Sequence, residues 1–292
     1  MESSSNHYTL FQRLRSTSWE TRKQEPSNAL IQVIPQGVRI AIYLPTNNIL
    51  VALDEIQFTS DLTTDQQFEQ FKRFIPESVL SEAAISSITI SVEPRYFTFL
   101  PTHLFSEESA EASLMELSEI SFPFIVMTEK VRPEMVLVFA APKIWYEWAE
   151  QVFSFSEIHW TCSISGMLEP ILNRAGEKEV FAHIDPKSFI AFGVENGKLL
   201  FANYYPFKAE NDLLYFMLLV MQEMELTSDT GKVNLSGSIL SGSAGFEKLN
   251  RYFGNLSFAK NPDIEHEFSE YESLRHPLYF DLVSLLLKPI PA

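Results

Sequence analysis

Apolar and polar positions alternate in short runs along the first part of the chain, and turn-forming residues interrupt these runs. The stretch "ALIQVIPQGVRIAIYLPTNNILVALDEIQF", residues 29–58, contains three β-rich runs. The interruptions fall at Pro35-Gln36-Gly37 and at Asn47-Asn48, where β-hairpins place their turn formers. The pattern therefore predicts three strands in a meander.

Helical spacing follows the meander in "TTDQQFEQFKRFIPE", which predicts a helix behind an N-cap at Thr63 or Thr64. Further along, strand patterns alternate with helical ones. The strands are "ISSITISVEPRYFTFLP", "EMVLVFAAP" and "EIHWTCSIS", and the helices are "SEESAEASLMEL", "KIWYEWAEQVF" and "GMLEPILNRAG". Trp145 and Trp148 lie three residues apart in one of these helices, a spacing that favours core packing.

The second half begins with "VFAHIDPKSFIAFGVENGKLLFANYYPF", Val180 to Phe207, which predicts three strands joined by two tight turns. A long helix "AENDLLYFMLLVMQEMEL", a strand "GKVNLSG", a helix "AGFEKLNRYF" and a strand "NLSFA" follow. Both halves have the order of three strands, helix, strand, helix, strand, so we expect an α/β fold of two similar lobes. The predicted domains are an N-terminal arm (1–25), a first lobe (26–176) and a second lobe (177–292) that ends in an amphipathic helix, "RHPLYFDLVSLLLKP".

Composition narrows the functional classes. The 292 residues carry a net charge of −16, which argues against nucleic acid because phosphate backbones are bound by concentrated Lys and Arg. The longest apolar stretch, Leu213 to Met221, is about half of the roughly 20 residues that cross a bilayer, so no transmembrane segment is predicted. A single cysteine, Cys162, excludes an internal disulfide and fits a reducing cytoplasm, where we expect the protein to be located.

The order of "KIWYEWAEQVF", "EIHWTCSIS", "LEPILNRA" and the Val180–Phe207 segment resembles the actin-like ATPase superfamily, nearest to its pilus-assembly and cell-division members. "VNLSGSILSGSAGFEKLNRYFG" resembles the later, adenosine-side segment of these proteins. The whole chain also resembles a bacterial family catalogued as domain of unknown function 3822. The resemblance implies a two-lobed actin-like ATPase fold, a duplicated ribonuclease H-like fold, with nucleotide between the lobes. The bacterial family has no assigned activity to carry over.

Actin-like ATPases need glycine-rich hairpin turns whose backbone N–H groups approach the phosphates, and carboxylates that hold hydrated Mg²⁺. In the second lobe Asp185 matches the expected acid, but Pro186 and Lys187 replace small residues. In the first lobe the matching turn has no aspartate, and Pro35 lacks an N–H donor. The resemblance therefore predicts that both phosphate loops are lost.

The adenosine side is better preserved, because Gly237 and Ser238 remain. Glycine nevertheless supplies 10 of 292 residues, well below the typical share of about 7%. We expect a catalytically silent scaffold or regulator that binds an unidentified protein and uses no cofactor. The alternative is a degenerate ATP-binding protein that uses Mg²⁺, the cleft between the lobes and Asp185, Lys187, Gly237 and Ser238.

Other candidate chemistry is sparse in the sequence. His183 and Asp185 share one face of a strand, but two ligands do not make a metal site, so none is predicted. No Ser-His-Asp triad is identified. Two apolar segments are candidate docking surfaces, the C-terminal helix (Tyr279, Phe280, Val283, Leu287) and the N-terminal arm (Phe11, Leu14, Trp19). The alternative for each is packing on its own lobe, which is the more common role of such apolar faces.

Overall fold

The computed structural model describes residues 7–45, 49–59, 61–93, 95–117, 120–154, 156–174, 176–264, 266, 268, 274 and 276–288. These residues fold into two compact α/β units. Unit 1 comprises residues 1–165, 264–270 and 289–292, and unit 2 comprises residues 166–263 and 271–288. The predicted turn at Asn47-Asn48 lies outside the described residues.

Unit 1 is built on a six-stranded sheet in the order β1-β4-β3-β2-β5-β9. Its strands are β1 (Tyr8–Arg15), β2 (Ser27–Ile34), β3 (Gly37–Leu44), β4 (Ile49–Phe58), β5 (Ile85–Val92) and β9 (Glu157–Cys162). The predicted meander is confirmed, because β2, β3 and β4 pair antiparallel in sequence order. β5 and β9 then extend the sheet in parallel from β2.

Three helices accompany this sheet, α1 (Trp19–Arg22), α2 (Thr64–Phe74) and α4 (Lys143–Val152). The N-cap of α2 is Thr63, whose hydroxyl accepts from the Gln66 N–H while the Gln66 side chain accepts from the Thr63 N–H. Phe71 of α2 packs against Trp145 of α4, with ring centroids 4.7 Å apart, and neither side chain is exposed. Core packing is thus confirmed for the tryptophan helix.

A second sheet is inserted between β5 and α4. Its three strands have the order β6-β8-β7, and they are β6 (Phe97–Pro101), β7 (Phe124–Arg132) and β8 (Met135–Pro142), with helix α3 (Glu107–Leu117) beside them. The sequence patterns predicted β6, β8 and α3 but missed β7. Its segment "FIVMTEKVR" is partly exposed at most positions, so the apolar alternation of a half-buried strand is weak.

Unit 2 has a five-stranded sheet in the order β12-β11-β10-β13-β14. The strands are β10 (Lys178–Ile184), β11 (Ser188–Glu195), β12 (Lys198–Pro206), β13 (Lys232–Gly237) and β14 (Asn255–Phe258). The helices of this half are α5 (Ser163–Leu172), α6 (Glu210–Glu223), α7 (Ala244–Asn250) and α8 (Phe280–Leu286). Every predicted strand of this half is therefore present.

The C-terminal helix α8 is buried on all sides rather than amphipathic, since all seven of its residues are buried. Gly166 of α5 explains part of this burial. A Cβ atom there would lie 2.9 Å from the Leu285 backbone nitrogen, so the absence of a side chain lets the two helices approach closely. The proposed docking role of Tyr279, Phe280 and Val283 is wrong, because each is at most 2% exposed.

The two units share one architecture down to the strand register. In both, a two-residue hairpin turn joins the first two strands, and the third strand carries a bulge at the same place, Val51 in unit 1 and Leu200 in unit 2. The backbone bond from Phe58 N–H to the Gln36 carbonyl has its counterpart in the bond from Phe207 N–H to the Lys187 carbonyl. Both bonds are 2.8 Å long. Each strand residue of the unit 1 meander therefore has an equivalent in unit 2.

Candidate functional site

The candidate site of unit 2 lies at the carboxyl ends of β10 and β13, two parallel neighbours in the centre of the sheet. Open α/β sheets bind ligands at this edge. Ile184 pairs with Gly237 in the register, and the Ser238 N–H donates to the Ile184 carbonyl at 2.6 Å. Asp185 and Lys187 follow β10 directly. The four predicted site residues therefore lie together at one edge of the sheet, while their role stays a prediction.

The hairpin turn after β10 is built on proline. Pro186 and Lys187 form its two central positions, and the Asp185 N–H donates to the Ser188 carbonyl at 2.8 Å. Pro186 has no N–H, and the Lys187 carbonyl accepts from the Phe207 N–H. Asp185 is half-buried, and Pro186 and Lys187 are exposed. A turn of this kind presents side chains at its tip, where a phosphate loop presents N–H groups.

Gly237 is required by the path of the backbone. Its φ is +90°, and a Cβ atom would lie 2.3 Å from the Ile184 carbonyl oxygen. The chain thus turns across the end of β10 in a conformation that favours glycine. Local backbone geometry accounts for this residue without a ligand.

Beneath this edge, unit 2 contains a buried polar chain that the sequence patterns did not identify. His183 Nδ1 lies 3.0 Å from Ser236 Oγ on β13, and its Nε2 lies 3.6 Å from Asp281 Oδ2 on α8. All three residues are at most 4% exposed. The order resembles that of a hydrolase triad, and the three buried side chains connect α8 to the central strands of the sheet.

The signal for this arrangement was partly present in the sequence. His183 alternates with Asp185 on the strand, a pattern that suggests two metal ligands on one face. The structure instead places both ring nitrogens of His183 near Ser236 and Asp281. Asp281 comes from a helix almost 100 residues away, so no local pattern indicated it. Across the described part of the chain, no three His, Cys, Asp or Glu side chains are grouped as metal ligands.

In unit 1 the equivalent turn lies between β2 and β3, and it also contacts helix α2. Pro35 and Gln36 occupy the positions of Pro186 and Lys187. The Pro35 carbonyl accepts from the Gln67 side-chain amide at 3.4 Å, and the Gln36 carbonyl accepts from Phe58 N–H. Proline is therefore the first central residue of both turns. In unit 1, helix α2 also stabilises the turn through Gln67.

A small cavity lies beside the unit 1 turn. Its volume is about 30 Å³, and its wall includes Val33 and Val92, the equivalents of Ile184 and Gly237. Trp145 also lines it, and within the described residues the buried indole N–H of Trp145 has no hydrogen-bond partner. This space suits a water molecule, which needs only about 10 to 15 Å³, and not a nucleotide, whose sites occupy at least about 300 Å³.

Cys162 at the end of β9 is the single thiol, and it is fully buried. Burial raises the pKa of this thiol to about 12, so it stays protonated and unreactive at neutral pH. Cys162 thus packs as a small buried residue. The central residues of the two turns differ from those of a phosphate loop. Pro35 and Pro186 have no backbone N–H to offer a phosphate, and the second central residues, Gln36 and Lys187, lack the conformational freedom of glycine.

Comparisons with known proteins bear on the fold and the family. The family model "Protein of unknown function (DUF3822)" matches residues 16–256. A Bacteroides thetaiotaomicron VPI-5482 protein of actin-like ATPase fold and unknown function has a TM-score of 0.71 at 20% identity, covering 92% of this chain and 98% of its own. The PilM–PilN type IV pilus biogenesis complex has a TM-score of 0.60 at 13% identity, covering 91% of this chain and 100% of its own.

No curated protein matches the sequence. None of the helices in the described ranges has the length and apolar character that a membrane crossing requires. The solved structures confirm the predicted actin-like ATPase fold, and their low identity restricts the inference to the fold. Since the family model spans most of the sequence, the chain belongs to the DUF3822 family of proteins of unknown function.

Proposed function

We propose that this protein is a catalytically silent member of the actin-like fold that acts as a scaffold or regulator by binding another protein. The observation that carries the proposal is the proline at the first position of both hairpin turns, Pro35 and Pro186. A phosphate loop in either unit would need the N–H that proline lacks. The same substitution at equivalent positions argues for loss of the phosphate sites in both units.

The remaining features of the two turns support the same proposal. The carbonyls of Gln36 and Lys187 accept hydrogen bonds from the N–H groups of Phe58 and Phe207, at the end of the third strand of each meander. These hydrogen bonds hold each turn against the sheet. Gly237 is explained by its approach to the Ile184 carbonyl. Since fold does not determine function, the proposal depends on these residues and not on the frame that carries them.

The protein-binding half of the proposal is supported by a structural neighbour. PilM was solved in a complex with PilN, which is an example of this frame holding a protein partner. Our proposal includes a cytoplasmic location and excludes nucleic acid, given the net charge of −16. The proposed partner is a protein.

Calorimetric titration of the full chain with ATP, with and without Mg²⁺, tests the proposal. We expect no binding heat at millimolar nucleotide. Micromolar binding that is lost in Asp185→Ala would overturn the proposal and favour the ATP-binding alternative through Asp185, Lys187, Gly237 and Ser238. The matched control is Asp229→Ala, a carboxylate of unit 2 in the loop that precedes β13, away from this edge of the sheet.

A further inference from the structure

The outer face of α6 differs from that of its equivalent α2. On α2 the exposed positions are all polar, namely Asp65, Gln66, Glu69, Lys72 and Arg73. On α6, three apolar side chains are exposed, Tyr215 at 59%, Leu218 at 38% and Leu219 at 37%. Their spacing of i, i+3 and i+4 places them on one face as a stripe. We call these three residues the α6 stripe.

Tyr215 is exposed but held in place by aromatic contacts. Its ring meets Phe216 at 5.4 Å between centroids, Phe216 meets Tyr205 at 5.4 Å, and Tyr205 stacks on buried Phe189 at 4.9 Å. A row of four rings thus runs from the core of unit 2 to its surface. Tyrosine has only two side-chain torsions and therefore loses little conformational entropy on binding, which is typical of interface anchors.

Both ends of helix α6 carry an exposed glutamate. Glu210 and Glu223 are exposed at the two ends of the helix, and the last turn contains no basic residue. Glu223 lies at the helix C-terminus, where the helix dipole is also negative and disfavours a carboxylate. Glu225, just beyond, is 85% exposed, although its carboxylate lies 3.4 Å from Lys178 Nζ. A cation brought to this end would therefore be attracted by both the side chains and the dipole.

We infer that the α6 stripe docks an amphipathic, basic α-helix of a partner protein. Apolar residues at i, i+3 and i+4 match the ridge spacing of a second helix, and acidic ends select Lys or Arg on that helix. A second copy of this chain fits less well, because an antiparallel pair of α6 helices would bring Glu210 against Glu223 and join two proteins of charge −16. The inference rests on the proposed scaffold function.

The test uses two synthetic helical peptides with the same leucine stripe, one with Lys and Arg flanks and one with Glu flanks, titrated by fluorescence anisotropy against the full chain. We expect the basic peptide to bind at least about tenfold more tightly than the acidic one, with a difference that shrinks at high salt. Leu218→Asp should weaken binding by about tenfold or more. Leu240→Asp is the matched control, since Leu240 is a 50% exposed leucine of unit 2 outside the stripe.

Glu223→Lys sharpens the test, because it should reduce the preference for the basic peptide without removing the apolar stripe. Equal binding of the two peptides, no binding of the basic peptide, or equal effects of Leu218→Asp and Leu240→Asp would overturn the inference. A wild-type dimer by light scattering that Leu218→Asp dissociates would also overturn it, in favour of a second copy. None of these measurements involves nucleotide, so failure here is distinguishable from ATP binding, which would overturn the proposed function itself.

Discussion

The two units have the same meander, but its third strand has a second neighbour in unit 1 and lies at the edge of the sheet in unit 2. In unit 1, β1 pairs with the free side of β4, and Arg13 and Arg15 contact Asp54 at 3.2 and 2.8 Å. In unit 2, β12 is the edge of its sheet, and the equivalent of Asp54 is exposed Asn203. A buried carboxylate is thus present where a strand with two arginines covers it, and absent where the edge is open.

The same contrast applies to the central strands. His183 and Ser236 are hydrogen-bonded neighbours in unit 2, and their equivalents in unit 1 are Gln32 and Ser91. Gln32 accepts from Arg39, while Ser91 Oγ is buried with no hydrogen-bond partner among the described residues. The same pair of parallel strands therefore carries different buried polar side chains in the two units. Substitutions at equivalent positions can measure what each side chain contributes to stability.

The largest expected effect is at the covered edge. Asp54 is fully buried, and its carboxylate also accepts from the Val79 N–H at 2.9 Å. Asp54→Ala removes the charged acceptor shared by Arg13, Arg15 and that N–H, although both arginines keep backbone carbonyl acceptors. The loss of these charge-assisted hydrogen bonds should lower the free energy of unfolding by about 3 to 5 kcal/mol. Asn203→Ala, the matched change at the open edge, should cost less than about 0.5 kcal/mol. Urea denaturation of both variants measures the difference, and equal effects would contradict the comparison.

The next effect concerns the close approach in unit 2. Gly237→Ala should destabilise the protein by about 2 to 4 kcal/mol, because the added methyl meets the Ile184 carbonyl and φ is positive. Gly242→Ala separates the two causes, since Gly242 has a φ of +84° but nothing within 4 Å of its Cβ position. It should cost about 1 kcal/mol. Thermal unfolding of the two variants tests this, and similar losses would attribute the whole effect to φ.

A smaller effect is expected at the paired serines. Ser236→Ala removes the partner of His183, and we expect a loss of about 1 kcal/mol in the free energy of unfolding. Ser91→Ala removes a buried hydroxyl that lacks a partner in the described part of the chain, so it should be neutral or slightly stabilising. Chemical denaturation distinguishes the two signs. A loss at Ser91 as large as that at Ser236 would show that the serines have the same role.

Some of these elements and contacts could be predicted from the sequence, and others could not. The order of elements follows from local alternation and helical spacing, so the meanders, α2, α4 and α6 were predictable from single segments. β7 and the partners of His183 were not, because a half-exposed strand has a weak pattern and Asp281 reaches the sheet only through tertiary packing. The predicted site residues do meet at one edge, since parallel neighbours end together. Whether they bind anything depends on N–H groups and space that residue types do not specify.

The smallest expected effect is at the turns themselves. Pro35→Ala and Pro186→Ala each restore one N–H, and each should lower the free energy of unfolding by about 0.4 to 1 kcal/mol, because alanine gives the unfolded chain more conformations than proline. Pro35→Ala keeps the Gln67 contact, which involves the carbonyl and not the missing N–H, so the two losses should be alike. The double variant should still give no heat with Mg²⁺ and ATP, since the glycine flexibility of a phosphate loop is also lacking. Micromolar ATP binding by the double variant would instead assign the loss of the phosphate sites to proline alone.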